Sequence, residues 1–201
     1  MTSRPAIGFT RRNTHAETHP YDDLDWERRE ARIENWSDGS VAFAQDDVEF
    51  PLGWSQNATN IVSQKYFRGH LGTDARESSL REVIDRVVGR IGDWGGDAGY
   101  FVDDDERATF DAELTQLLVN QRMAFNSPVW FNIGVPDTPQ QSSACFILSV
   151  DDSMDDILEW YVEEGKIFKG GSGSGVNLSR IRASSEKLAG GGEPSGPVSF
   201  M

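Results

Sequence analysis

Leu80, Val83, Ile84, Val87, Val88 and Ile91 recur at i, i+3, i+4, i+7, i+8 and i+11. That spacing lines up one apolar stripe on an α-helix and scatters the same residues over both faces of a strand. Ser79 and Glu82 supply a capping box at its start, and Gly92 is read as its end. The chain must therefore bury one helix face against a partner. A second helix is expected from about Glu106 to Arg122, with Phe110, Leu114, Leu117 and Leu118 on one face. The acidic run Asp103 to Glu106 sits where the helix dipole favours negative charge. A solvated cap explains it better than a metal site.

Upstream the pattern is weaker. Asp22 to Asn35 (DDLDWERREARIEN) reads as a short charged helix. Asn35 to Phe50 reads as a small hairpin that turns at Asp38-Gly39. Asn57 to Gly69 is a mixed segment, helical around Ile61 to Phe67, and Gly92 to Gly99 (GDWGGDAG) is a Gly-rich connector.

The texture changes after residue 123. Asn126 to Asn132 (NSPVWFN) is apolar and Pro-broken, and Pro136 to Gln141 is a turn. Ala144 to Val150 (ACFILSV) reads as a buried strand. Ser153 and Asp156 cap a third helix, with Ile157, Leu158, Tyr161 and Phe168 expected to face inward. Gly170 to Gly175, a short segment Val176 to Ile181 and the loop Gly190 to Pro197 follow. Strand, helix, loop, strand is the opening of an α/β layout. The division expected is a mainly helical region over 1–122 and an α/β region over 123–201, without internal repeats.

Charge excludes some partners. The net charge of -14 repels phosphate backbones, so direct nucleic-acid binding is not expected. Small phosphorylated ligands stay open, since backbone N–H groups bind them locally. The one cysteine, Cys145, allows neither a disulfide framework nor an intrachain zinc cluster. His15, His19 and His70 have no metal-ligand spacing. No apolar run is long enough for a membrane span, and the first residues lack the apolar core of a signal peptide, so a cytoplasmic location is expected.

Two features could carry chemistry. Gly170 to Ser179 (GGSGSGVNLS) could bring backbone close to a ligand. It is not a P-loop, because no Gly-Lys-Ser/Thr follows, and it fits no dinucleotide fingerprint, because it follows a helix. Alone it reads as a flexible loop. Cys145, alone, reads as a small buried hydrophobe. The polar stretch QQSSA before it suggests a strand that opens onto a wet pocket.

Taken in order, the later motifs are specific. Asn126 to Asn132 (NSPVWFN), Ser143 to Phe146 (SACF), Asp151 to Asp155 (DDSMD), Gly171 to Leu178 (GSGSGVNL), Arg180 to Arg182 (RIR), Gly190 to Gly192 and Ser195 to Pro197 follow one another at close spacing. The set resembles the start of the catalytic barrel of ribonucleotide reductase large chains. The wording NSPVWFN and GSGSGVNLS, with WSQNATNIVSQKYFRG and RESSLREVIDRVV upstream, resembles the adenosylcobalamin-dependent class, over roughly residues 20–201.

The resemblance implies a ribonucleotide-reductase-type ten-stranded α/β barrel, incomplete here, behind a mainly helical N-terminal region. It implies a ribonucleoside-diphosphate reductase making 2′-deoxyribonucleotides for DNA synthesis. A thiyl radical abstracts the ribose 3′ hydrogen, the 2′ hydroxyl leaves as water, and two further cysteines become a disulfide. Adenosylcobalamin starts the radical. Cys145 corresponds to one of the two reducing thiols; the radical Cys and the second reducing Cys are expected beyond residue 201, so this chain alone is expected to be inactive. Ser127 corresponds to the substrate-phosphate contact. Ala144, Cys145 and Gly173 correspond to residues beside the substrate. Asp152, Ser153 and Arg182 correspond to the specificity-effector site, with Lys187 as a basic partner in a first effector loop from about Ala183 to Gly192. The implied partners are a ribonucleotide substrate, a nucleoside triphosphate effector, a thioredoxin-type reductant and a second copy in a homodimer. A di-iron-type large chain and a non-catalytic nucleotide-binding module are the alternatives.

Overall fold

The computed structural model describes residues 6–201, which divide after Gln140 into two compact units. The first unit opens with an antiparallel hairpin, β1 (Trp26–Glu34) and β2 (Val41–Pro51). The helices α1 (Gln56–Lys65), α2 (Leu80–Asp97), α3 (Asp104–Val119) and α4 (Ser127–Asn132) follow.

The expected helix over Asp22 to Asn35 is instead β1. Its charge density hid a period of two: Arg29, Ala31 and Ile33 turn toward the unit, while Arg28, Glu30, Arg32 and Glu34 are exposed. Arg32 pairs with Glu30 and Glu34, two residues away on either side, the spacing of same-face neighbours in a strand. The turn falls where expected. Gly39 takes φ +70, and Asp38 accepts from the Ser40 amide at 3.0 Å.

The stripe on α2 is the centre of the core. Leu80, Val83, Ile84 and Val88 pack with Val48 and Phe50 of β2, Phe67, and Leu114 and Leu118 of α3. Ser79 and Glu82 form the capping box, and Asp103 caps α3 by accepting from the Glu106 amide at 2.8 Å. The helix does not end at Gly92 but runs through the expected connector to Asp97. A Cβ at Gly92 would meet the Arg107 guanidinium at 2.3 Å, and one at Gly95 the Phe101 ring at 2.7 Å. These glycines make room for close neighbours; they do not stop the helix. Likewise Pro128 does not break NSPVWFN but occupies the first turn of α4, where no backbone N–H is needed.

The second unit is a strand–helix–strand: β3 (Cys145–Ser149), α5 (Met154–Lys169) and β4 (Gly173–Asn177). The strands are parallel, with Cys145 opposite Gly173 and Ser149 opposite Asn177. Val150, Ile157, Trp160 and Ile181 form its core. Of the residues expected to face inward on α5, Ile157 is buried, whereas Leu158, Tyr161 and Phe168 are exposed. Trp160 and Ile167 hold the inner face instead. Among the described residues no helix is long and apolar enough to cross a membrane.

Candidate functional site

In the second unit, β3 alternates. Phe146 and Leu148 are partly covered, and Cys145, Ile147 and Ser149 are exposed on the other face. The expectation that Cys145 is buried is therefore corrected: its thiol stands on an open face. Among the described residues β3 and β4 pair with each other, and α5 covers one side of the pair. Ile147, 87% exposed, lies on the same face beside Gly175.

Gly173 faces Cys145 across the pair, and its N–H donates to the Ala144 carbonyl at 2.8 Å. A Cβ there would find only that carbonyl, at 3.9 Å. No neighbour in the unit forces a glycine at this position, so its effect is to leave the space beside the thiol free. The structure thus brings Ala144, Cys145 and Gly173 together at one strand end.

The stretch GGSGSG is not a loose loop. The buried Ser172 hydroxyl donates to the Ser143 carbonyl and accepts from Gln141 Nε2. Ser174 donates to Glu164 of α5. These two serines, unassigned from sequence, tie β4 to the lead-in of β3 and to α5. The alternation Ser-Gly-Ser-Gly was the available signal, with hydroxyls at 172 and 174 alternating with Gly173 and Gly175.

Beyond β3, Asp152, Ser153 and Arg182 meet around a cleft of about 220 Å³, with Met154, Ile157 and Leu188 among its other lining residues. Arg182 Nε donates to Asp152, and Arg180 pairs with Asp151 at 2.6 Å. Ser153 caps α5 by accepting from the Asp156 amide at 3.2 Å. Lys187 is exposed and lies outside the lining. Both arginines already face carboxylates, and Asp155 and Asp156 occupy the first turn of α5. Local charge thus disfavours a phosphate at this helix start, whereas Asp152 can accept from a hydroxyl or amino group.

Ser127 belongs to the first unit. It opens α4, and its Oγ lies 3.2 Å from the Tyr66 hydroxyl. Among the described residues no group of three or more His, Cys, Asp or Glu could hold a metal ion.

Residues 27–75 and 70–121 match the family model described as "Class II vitamin B12-dependent ribonucleotide reductase". Residues 143–201 match "Ribonucleotide reductase, barrel domain". The chain belongs to the vitamin B12-dependent ribonucleotide reductase family. It is similar to relatives named vitamin B12-dependent ribonucleotide reductase. The Streptomyces avermitilis protein is 56% identical over 200 residues, covering 100% of this chain and 21% of the relative. The Streptomyces coelicolor protein is 60% identical over 183 residues, covering 91% and 19%. The Rhodopirellula baltica protein is 45% identical over 210 residues, covering 90% and 20%. The chain thus spans about a fifth of the length of the curated relatives it matches. Within the reductase family, the β3–α5–β4 unit falls in the part matched by the barrel model.

Proposed function

We propose that this chain works within a vitamin B12-dependent reductase that converts ribonucleoside diphosphates to their 2′-deoxy counterparts for DNA synthesis, in the cytoplasm. The observation that carries the reading is the pairing of Cys145 with Gly173 at the start of the β3–β4 pair, within the part matched by the barrel model. A reducing thiol works beside the substrate, and Gly173 leaves the backbone there unobstructed.

In this reading Cys145 and a second cysteine together give two hydrogens and become a disulfide, while the ribose loses its 2′ hydroxyl as water. A thioredoxin-type partner then restores both thiols. The chain has one cysteine, so it cannot form that disulfide within itself. Gly173 and Ala144 shape the surface beside the ribose. Ser127 is assigned to substrate phosphate on the family pattern alone. The N-terminal helical region is taken to extend over 1–122 and the start of the barrel over 123–201.

Asp152, Ser153 and Arg182 are assigned to the specificity effector, a nucleoside triphosphate, with the two copies of a homodimer as the setting. Asp152 receives the ribose or base, in keeping with the local charge. Lys187, on the exposed loop, is the basic residue nearest in sequence for the phosphates.

Adenosylcobalamin would supply the initiating radical by homolysis of its cobalt–carbon bond. The described histidines show no sign of a cobalt ligand: His15 and His70 are exposed, and His19 accepts from the Tyr21 amide at 3.3 Å.

The test is Cys145→Ser in the complete enzyme. Ser cannot form a disulfide, so deoxynucleotide formation should be lost while cobalt–carbon cleavage persists. Near-normal multiple turnover would leave Cys145 a structural thiol.

A further inference from the structure

Cys145 stands at the first rung of the β3–β4 pair, opposite Gly173, and the Gly173 N–H donates to the carbonyl just before it, that of Ala144. The stretch leading into this rung is held by side chains. The Ser172 hydroxyl donates to the Ser143 carbonyl, two residues before the thiol, and accepts from Gln141 Nε2. Ser142 and Ser143 are exposed, so packing does little to hold this stretch, and the hydrogen bonds carry the task. Ser172 is 8% exposed, which keeps water from competing freely for them.

The other end of the linkage is α5. The Ser172 N–H donates to the carbonyl of the buried Ile167 at 3.3 Å, and the Gly171 N–H donates to the Phe168 carbonyl at 2.9 Å. Gly171 takes φ +79 as the chain leaves the helix for β4. A Cβ at Gly170 would come within 2.5 Å of the Gln141 amide, so this glycine leaves room for the side chain that supports Ser172. One residue is thus bound through its backbone to the end of α5 and through its hydroxyl to the lead-in of β3.

Ser172 does not share the face of the thiol. Along β4, Ser172 and Ser174 turn to the α5 side, where Ser174 donates to Glu164, and Gly173 and Gly175 lie beside Cys145 and Ile147. A thiol that acts on a bound ribose must meet it at a set distance, and a misplacement of about 1 Å can cost about a hundredfold in rate.

We propose that Ser172, supported by Gln141, is a positioning residue for the reduction step: it fixes where β3 begins against α5, and so where the Cys145 thiol stands beside Gly173. The proposal rests on the reading of Cys145 as a reducing thiol.

The experiment compares Ser172→Ala, Gln141→Ala and Cys145→Ser with the wild type in the complete enzyme, supplied with adenosylcobalamin and substrate. Deoxynucleotide formation and cobalt–carbon cleavage are measured side by side. Ser172→Ala should lose about ten- to a hundredfold in deoxynucleotide formation, with cobalt–carbon cleavage, which another cysteine serves, near the wild-type level. Gln141→Ala should lose less, in the same sense; its half-buried position makes it the variant to read where Ser172→Ala does not fold. A loss in Ser172→Ala alone supports Ser172 and removes Gln141 from the account. Unchanged deoxynucleotide formation in Ser172→Ala, or in Gln141→Ala where Ser172→Ala does not fold, overturns the proposal. A parallel fall of both readouts overturns it as well, because a merely structural role has that effect. Cys145→Ser separates the two readings: its normal turnover removes the reducing thiol, whereas its failure beside an intact Ser172→Ala removes only the positioning role.

Discussion

Arg182 Nε donates directly to the Asp152 carboxylate, and the pair closes one side of the cleft at the start of α5. The two residues are 30 positions apart, and the contact joins the segment after β3 to the segment after β4. A ligand that engages Asp152 shares its carboxylate with Arg182 and so bears on how these segments are held.

In the complete enzyme, Asp152→Ala should therefore alter which effector favours which substrate, with modest loss of basal turnover. Coupling between sites is typically about 1–3 kcal/mol, so the effector-induced change in kcat/KM should shrink by about five- to a hundredfold. Steady-state rates for each substrate with each effector measure it. An unchanged effector response with abolished basal turnover moves Asp152 into the catalytic site.

The Arg86–Glu77 pair is nearly buried, at 12% and 13% side-chain exposure, and Arg86 also bonds three backbone carbonyls. Arg86→Met leaves that carboxylate with the Arg68 amide as its remaining donor and takes the side-chain donor from those carbonyls. A loss of about 3–5 kcal/mol is expected on chemical denaturation, with the double variant Arg86→Met/Glu77→Gln costing less than the sum. Strict additivity would show that the two residues do not act as a pair.

Glu113 anchors the segment 12–14. It accepts from the amides of Arg12, Asn13 and Thr14 and from the Thr14 hydroxyl. Burial raises its pKa, but the Thr14 hydroxyl and the Arg12 and Asn13 donors outweigh that and bring it from 4.5 to about 2. Its pKa is depressed on folding, so its contribution is complete above about 4.5 and is lost as pH falls towards about 2. Amide resonances of residues 12–14 should titrate below pH 4, and Glu113→Gln should abolish that transition. Titration near 4.5 in the wild type would contradict the anchoring.

Where one periodicity dominated, the sequence was readable. The α2 stripe and its capping box could be placed because six apolar positions admit one geometry. The first arm of the hairpin was missed because WERREARIE mixes charges on both faces, and the inward positions include Arg29, whose guanidinium bonds the carbonyls of Pro51 and Trp54. Gly92 and Gly95 misled for a different reason: what they accommodate, Arg107 and Phe101, comes from farther along the chain. Cys145 sat in the expected strand on the unexpected side, since every residue of ACFILSV but Ser149 is apolar and the run cannot show which face stays open. The ordered motifs, not the periodicity, pointed to the family.

The central claim is that Cys145 is a reducing thiol, and disulfide mapping after a single turnover tests it most directly. The complete enzyme, supplied with adenosylcobalamin and substrate but no external reductant, is quenched, alkylated and digested for mass spectrometry. Cys145 should appear in a disulfide in proportion to deoxynucleotide formed, and should be alkylated freely when substrate is omitted. Cys145 still fully alkylated after deoxynucleotide has formed would contradict the account.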